Sequence, residues 1–275
     1  MNFLSLFSKK CKSKCHYNEL DELQIKSLLN NEHNVEIFDE IHSTNLYLKE
    51  CDKSLKEHFT IVVSDSQTNG IGRVNRRFFS PKGKGIYFSI LLYPEISAKD
   101  SVFLTTGACV AVSRAIKELF DLDVQIKWVN DIYCKGKKLC GILTQSALNC
   151  ENQTLDFAVV GFGINFKKWK LPKEISNIAV SLQECVKLTH NRNELIACVV
   201  NHFEKIYNFL PNKDFMNEYK NRSFIIGEKV TVLQASEQYD ATVKDINEDA
   251  NLIVEDEFKV LHTLCSGEVS LKLQN

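Results

Sequence analysis

Asn130, Asp131 and Lys138 stand close together in QIKWVNDIYCKGKKLCGILTQ, residues 125–145, and place a carboxamide, a carboxylate and an amine around one tight turn. Val124, Ile126 and Trp128 recur at period two, and LCGILT supplies a second strand pattern, so Lys135-Gly136-Lys137 reads as a hairpin turn. An ordinary hairpin with a solvated basic tip would look similar. The flanks argue for more: Asn130 and Asp131 directly follow an apolar run, and Gly141 interrupts the return strand, where a missing side chain lets a ligand or another backbone come close. A second segment, SDSQTNGIGRVNRRFFSPKGKG at residues 64–85, sets Arg73, Arg76, Arg77, Lys82 and Lys84 among Gly70, Gly72, Gly83 and Gly85. Either it is a solvated loop, or it folds around a polyphosphate or carboxylate, with arginine forks donating and backbone N–H groups completing the cradle. It lacks the GKS or GKT of a P-loop and the GxGxxG of a dinucleotide fingerprint.

Two shorter segments accompany these. In VVGFGINF, residues 159–166, Gly161 and Gly163 fall on one strand face and leave room there for a flat ligand, while Asn165 can donate to and accept from a base edge or amide. IHSTN, residues 41–45, reads first as a helix N-cap through Ser43 or Thr44.

The elements that must position these residues follow from periodicity. Residues 35–38, 59–64, 86–93, 124–129, 139–145 and 155–163 are strand candidates. A helix is expected from Asp100 or Ser101 to about Phe120, with Ala108, Val112, Ala115 and Leu119 on its buried stripe. Another spans residues 191–210, with Leu195, Val199, Phe203 and Ile206 inward and Pro211 at its end. Strands adjoining helices in this way indicate an α/β or α+β domain around a central mixed sheet. From about Ser223 the chain becomes strand-rich, which predicts a small all-β barrel or sandwich. Three domains are expected: a tail over residues 1–34 with one short helix, a catalytic domain over 35–222 and a C-terminal module over 223–275.

At 275 residues the chain can bury a sizeable core. Its 34 basic and 35 acidic side chains give no overall charge that asks for nucleic acid, and residues 1–34 are too few for a DNA-binding helix-turn-helix module. Of ten cysteines only Cys11 and Cys15 lie close together, without a second pair at zinc-site spacing, and several others sit in apolar runs. A reducing, cytoplasmic compartment is expected. The opening residues are briefly apolar and then basic, the reverse of a secretory signal, although a weak organelle presequence or membrane-touching tail fits them as well. The apolar stretch at residues 86–93 is too short to span a bilayer, so no stable membrane insertion is expected.

Taken in order, the four segments resemble the biotin–protein ligases, also called holocarboxylase synthetases or biotin–acetyl-CoA-carboxylase ligases, in the form without an N-terminal DNA-binding domain. The family's STN is matched by Ser43, Thr44 and Asn45; its QTxGRGRRGRxW and SPxG by residues 67–78 and 80–83; its KWPND, lysine and GIL by residues 127–131, Lys138 and 141–143; its GxGxN by Gly161, Gly163 and Asn165. The closing SGEVSL, residues 266–271, also matches, and the resemblance covers roughly residues 35–273. The chain departs from the pattern at Ile71, Val74, Asn75, Phe78 and Val129, where the family usually has Arg, Arg, Gly, Trp and Pro. Ile71 removes a cationic donor, and Phe78 keeps an aromatic ring without the indole N–H.

The resemblance implies an α+β catalytic fold, a central mixed sheet with flanking helices, followed by a small SH3-like β-barrel. It also implies an ATP- and magnesium-dependent ligase that makes biotinyl-5'-AMP and transfers biotin to a lysine of a biotin carboxyl carrier domain or biotin-dependent carboxylase. Ser43, Thr44, Gln67, Gly70 and Arg73 would contact biotin, with Asn45, Gly72, Trp128, Gly141 and Gly163 completing the binding set. Arg73 would also lie near the carboxylate–phosphate junction, Lys138 would stabilise the adenylate, and Asn130 and Asn165 would meet the nucleotide. Asp131 would orient Lys138 or the magnesium nucleotide, or cap the hairpin. Such a reaction needs no covalent nucleophile, and catalysis would come from proximity and charge neutralisation. A lipoate–protein ligase and a non-catalytic biotin-binding protein are the alternatives. An exposed sheet edge would allow a homodimer.

Overall fold

The structure is a computed structural model that describes residues 19–149, 151–234, 237–265 and 268–271. The expectations for Cys11, Cys15 and the basic N-terminal stretch, and for Ser266-Gly267 of the closing motif, lie outside the described residues. Strands β2 (Thr60–Ser64) and β3 (Gly85–Leu92) are buried at every position, which requires cover on both sheet faces. They form the middle of a seven-stranded sheet with β1 (Val35–Phe38), β4 (Gln125–Lys127), β5 (Asp131–Cys134), β6 (Lys137–Leu148) and β7 (Leu155–Asn165), in the order β1-β2-β3-β7-β6-β5-β4. β1 runs parallel to β2 and the remaining neighbours are antiparallel, so the sheet is mixed as expected.

Alternation along the strands decides which helix covers which face. Val62, Leu91 and Val159 bury against Leu48 of α2 (Thr44–Glu50). Phe88 and Phe162, on the opposite face, stack with ring centroids 4.5 Å apart, and Phe162 meets Phe203 at 5.9 Å. That face carries α3 (Val102–Phe120) and α5 (Arg192–Asn208). A short 3-10 turn over Ala98–Ser101 leads into α3, and Asp121 ends it in the left-handed conformation. α5 begins with a reciprocal capping box between Asn191 and Glu194. Ahead of the sheet, α1 (Glu22–Leu28) docks on α5, where Asn193 Nδ2 donates to Glu19 O and Gln24 Oε1. Between these helices in sequence lies the short α4 (Leu182–Cys185); after α5 comes α6 (Phe215–Arg222).

Two expectations are corrected. The apolar run at 124–129 is not the first arm of the basic hairpin. β4 ends at Lys127, the chain turns through Trp128, Val129 and Asn130, and β5 returns before the Lys135-Gly136 turn leads into β6. Asn130 and Asp131 therefore sit at the opposite end of β5 from the basic tip.

The second correction concerns the C-terminal module. β8 (Lys229–Gln234), β9 (Glu237–Ile246), β10 (Leu252–Asp256), β11 (Leu261–Leu264) and β12 (Glu268–Leu271) form a five-stranded sheet in the order β11-β10-β9-β8-β12. Closing a barrel requires its two edge strands to pair. Among the described residues β11 pairs only with β10 and β12 only with β8, so the sheet is open and the SH3-like barrel is not formed. One face still buries Val230, Val232, Val243, Ile246, Leu252 and Val254 in a core continuous with that of the larger sheet. Among the described residues no helix is long and apolar enough to cross a membrane.

Candidate active site

A cavity of about 440 Å³ opens where α2, the 64–85 loop, the β4–β5 turn and the ends of β6 and β7 converge. It brings together every residue given a binding or catalytic role from the sequence except Gly70, which sits just behind it: a Cβ there would fall 2.7 Å from Ser80 Oγ and 3.1 Å from Gln67 Nε2; Lys82, Gly83, Lys84 and Gly85 of the basic loop do not line it. Arg73, Arg76, Arg77, Lys127 and Lys138 line the cavity against the single carboxylate of Asp131, so among the described lining residues positive charge prevails. Such a wall favours an anionic ligand.

Ser43 caps α2 by accepting from Leu46 N at 3.4 Å, and the following Thr44 and Asn45 are buried. Gln67 Oε1 accepts from Thr44 N at 2.9 Å and from Thr44 Oγ1 at 3.2 Å, while its Nε2 donates to Ser80 Oγ at 2.9 Å. One amide hydrogen of Gln67 is left for a ligand. Asn45 Nδ2 donates to Leu143 O at 3.1 Å and Gln145 Oε1 at 3.2 Å, and its Oδ1 accepts from Ser89 Oγ at 2.6 Å.

The paired glycines do not leave the open shelf that their spacing suggested. The Asn45 amide occupies the space over Gly161, and the Phe78 ring lies over Gly163, where a Cβ would come within 2.6 Å of it. These residues are glycines so that protein side chains can lie flat on β7 and form the cavity floor.

The basic loop is a small ladder. Phe78 N donates to Gly70 O at 2.8 Å, Gly72 N donates to Arg76 O at 2.7 Å, and Ile71 bridges Arg77. This aims Arg73 across the cavity, where its Nη1 donates to Asn130 Oδ1 at 3.2 Å. Asn130 in turn donates through Nδ2 to Ile142 O at 2.7 Å, which ties the β4–β5 turn to β6.

On β6, Lys138 Nζ lies 2.7 Å from Asp131 Oδ1. The register places Asp131 opposite Gly141, and a Cβ on Gly141 would come within 3.0 Å of the lysine stem. The missing side chain thus provides the bed for Lys138. Asn165 Nδ2 donates to Lys138 O at 3.4 Å, and the 175–180 segment runs beside β6 through Lys138 N to Ile178 O at 2.8 Å and Val180 N to Lys138 O at 3.0 Å.

Trp128 lines the cavity but spends its indole N–H elsewhere, donating to Ala250 O of the C-terminal module at 2.8 Å. Behind it, Tyr219 Oη donates to Val129 O at 3.0 Å.

Several lining residues carried no sequence signal. Tyr133, whose phenol burial pushes up to about 12, is neutral at ordinary pH and offers a donor. Ile175, Ile178 and Ala179 supply an apolar wall from a segment without a periodic pattern. Val269 and Ser270 belong to the closing SGEVSL motif, but that they bring β12 to the cavity rim is disclosed only by the fold.

Arg192 was also missed. It is fully buried and donates through Nη1 to Asp65 Oδ1 at 2.6 Å and Gly85 O at 3.2 Å, while Asp65 accepts from Gly83 N at 3.1 Å. The root of the basic loop is thereby braced against α5.

Comparison with known proteins places these features in a wider set. A model described as the Biotin/lipoate A/B protein ligase family matches residues 37–165. The chain is 37% identical over 150 residues to the bifunctional ligase/repressor BirA of Bacillus subtilis, covering 54% of this chain and 46% of that protein. To BirA of Escherichia coli it is 24% identical over 238 residues, 84% of this chain and 72% of that protein. The chain spans about half the length of the two Bacillus relatives it matches. Among solved structures, the biotin protein ligase from Aquifex aeolicus in complex with biotin and ATP matches with a TM-score of 0.74 at 28% identity, over 88% of this chain and 99% of that one.

Proposed function

The chain belongs to the biotin/lipoate A/B protein ligase family, and from that premise we propose that it activates biotin with ATP and transfers it to a lysine of a biotin carboxyl carrier domain. The observation that carries this reading is the convergence of Arg73 from one motif and Asn130, Asp131 and Lys138 from another on one electropositive cavity. The likeness to the Aquifex structure with biotin and ATP supports it.

In the first step the biotin carboxylate oxygen attacks the α-phosphorus, the bond to the β-phosphate oxygen breaks, and pyrophosphate leaves. In the second the acceptor lysine nitrogen attacks the acyl carbon, AMP leaves with the bridging oxygen, and the nitrogen loses a proton to solvent. Arg73, positioned by Asn130, would bind the carboxylate and the phosphate it attacks. Lys138, seated over Gly141 and held by Asp131, would meet the charge that grows on the phosphoryl oxygens. Ser43, Thr44 and Gln67 would offer polar contacts to the ureido ring, with Gly70 and Gly72 shaping the loop around it. Trp128 and the wall at Ile175, Ile178 and Ala179 would enclose the apolar part of the ligand. Asn130 and Asn165 would address the nucleotide.

ATP would enter as its magnesium complex. The Asp131 carboxylate, a hard oxygen donor at the cavity edge, would be the residue to hold such an ion. Bound there, the ion would offset phosphate charge.

In this reading residues 35–222 form the catalytic unit, and 223–275 contribute the rim at Val269 and Ser270. Free thiols, including the buried Cys109 and Cys140 that burial pushes up, support a reducing cytoplasmic setting. The test is pyrophosphate release from the purified chain with magnesium ATP and either biotin or lipoate. Biotin-dependent release is expected; release with lipoate alone reassigns the substrate, and none with either acid from folded protein leaves a binding protein.

A further inference from the structure

On the sheet face opposite the cavity, α3 and α5 carry a cluster that the ligase reaction does not use. Glu118 lies near the end of α3, while Cys198 and His202 are one turn apart on α5 and leave it on the same side. His202 Nε2 lies 2.8 Å from Glu118 Oε2, and the Cys198 sulfur lies beside the same carboxylate. One thiol sulfur, one imidazole nitrogen and one carboxylate oxygen lie within 4.8 Å of one another, a combination that MgATP chemistry has no need of at this place. Two packed helices supply the three groups, so their positions are set by the fold rather than by a loop.

We propose that Glu118, Cys198 and His202 form a binding site for a divalent transition metal of the zinc type, which clamps α3 to α5. Zinc bonds of about 2.3 Å to sulfur and about 2.0–2.2 Å to nitrogen and oxygen set tetrahedral ligand atoms roughly 3.5 Å apart. The cluster reaches that spacing if the His202–Glu118 contact opens by less than about 1 Å and the sulfur draws in through side-chain rotation. Mixed sulfur, nitrogen and oxygen donors select zinc, cobalt or a similar ion over magnesium or calcium, which take oxygen alone. Glu118, 60% exposed, leaves the fourth position to water. On binding, the thiol releases its proton to solvent and the imidazole coordinates in its neutral form. Metal and ATP would act on opposite faces of the sheet, so the site does not depend on the ligase reading.

Cobalt(II) titration of the full chain, kept reduced with a phosphine, tests the proposal. A near-ultraviolet thiolate-to-cobalt band should grow to one equivalent, zinc should displace it, and the melting temperature should rise by a few degrees with zinc. Cys198→Ser should remove that equivalent, and His202→Ala should weaken binding by on the order of tenfold or more. Circular dichroism of each variant checks folding, and the other cysteines remain in place as the internal control. No band in the wild-type chain, or a band of undiminished affinity and size in folded Cys198→Ser, overturns the site. In either case the cluster is a His–Glu ion pair over a half-buried thiol.

Discussion

Lys138 reaches the cavity because Gly141 leaves the strand bare beneath it and Asp131 holds its ammonium from the neighbouring strand. Lys138→Ala removes the group proposed to meet phosphoryl charge and takes nothing from the core. Adenylate formation, followed by single-turnover pyrophosphate release, should fall about 10²–10³-fold with little change in melting temperature. Normal adenylation by the folded variant would exclude the lysine from the chemistry. At Gly161 the effect should fall on stability as well. An added methyl displaces the Asn45 amide and its bonds to Ser89, Leu143 and Gln145. Gly161→Ala should cost about 1–3 kcal/mol in urea unfolding and weaken ligand binding. Asn130, Asp131, Arg73 and Lys138 could be picked out because polar and charged groups beside glycines and tight turns are unusual enough to stand out. Tyr133, Ile178 and Ala179 could not, because an apolar lining residue looks the same in sequence as any core residue. For the glycines the local reading foresaw a close approach, and in the structure Asn45 and Phe78 make it.

The elements came through where one physical signal dominated. α3 and α5 follow a single 3.6-residue stripe, and β3 is a nearly continuous apolar run, so each could be read locally. The run at 124–129 carried the right alternation but the wrong connection, since Trp128 continues the strand's alternation into the turn itself. Long-range ties were also silent. Arg192 begins a helix and reads as solvated, yet it is buried against Asp65, 127 residues earlier in the chain. Arg192→Ala takes the ion-pair partner from the partly buried Asp65 carboxylate, which keeps the Gly83 N–H, and should cost about 3 kcal/mol of unfolding free energy, the low end for a broken buried pair. Because Asp65 also accepts from Gly83 N, hydrogen exchange should quicken at the end of the basic loop. Unchanged protection there would mean that the ion pair does not brace the loop.

At the scale of the molecule, the C-terminal strands act as part of the cavity rather than as an appendage. Trp128 donates its indole N–H to Ala250, and Val269 and Ser270 reach the rim. Trp128→Phe keeps the apolar wall but leaves the Ala250 carbonyl without its donor, at a cost of about 1–3 kcal/mol. Exchange at the amides around Ala250 should rise more than exchange in the large sheet. The strand pattern after Ser223 was legible because alternation is local, whereas closure into a barrel depends on whether two edges meet, and among the described residues β11 and β12 do not pair. The most direct test of the whole account is a competition. The chain is mixed with magnesium ATP and equal biotin and lipoate, and the acyl-AMP bound after a single turnover is identified by mass spectrometry. Biotinyl-AMP in stoichiometric amount, lost in Lys138→Ala, is the predicted result; lipoyl-AMP, or no acyl-AMP from folded protein, would contradict it.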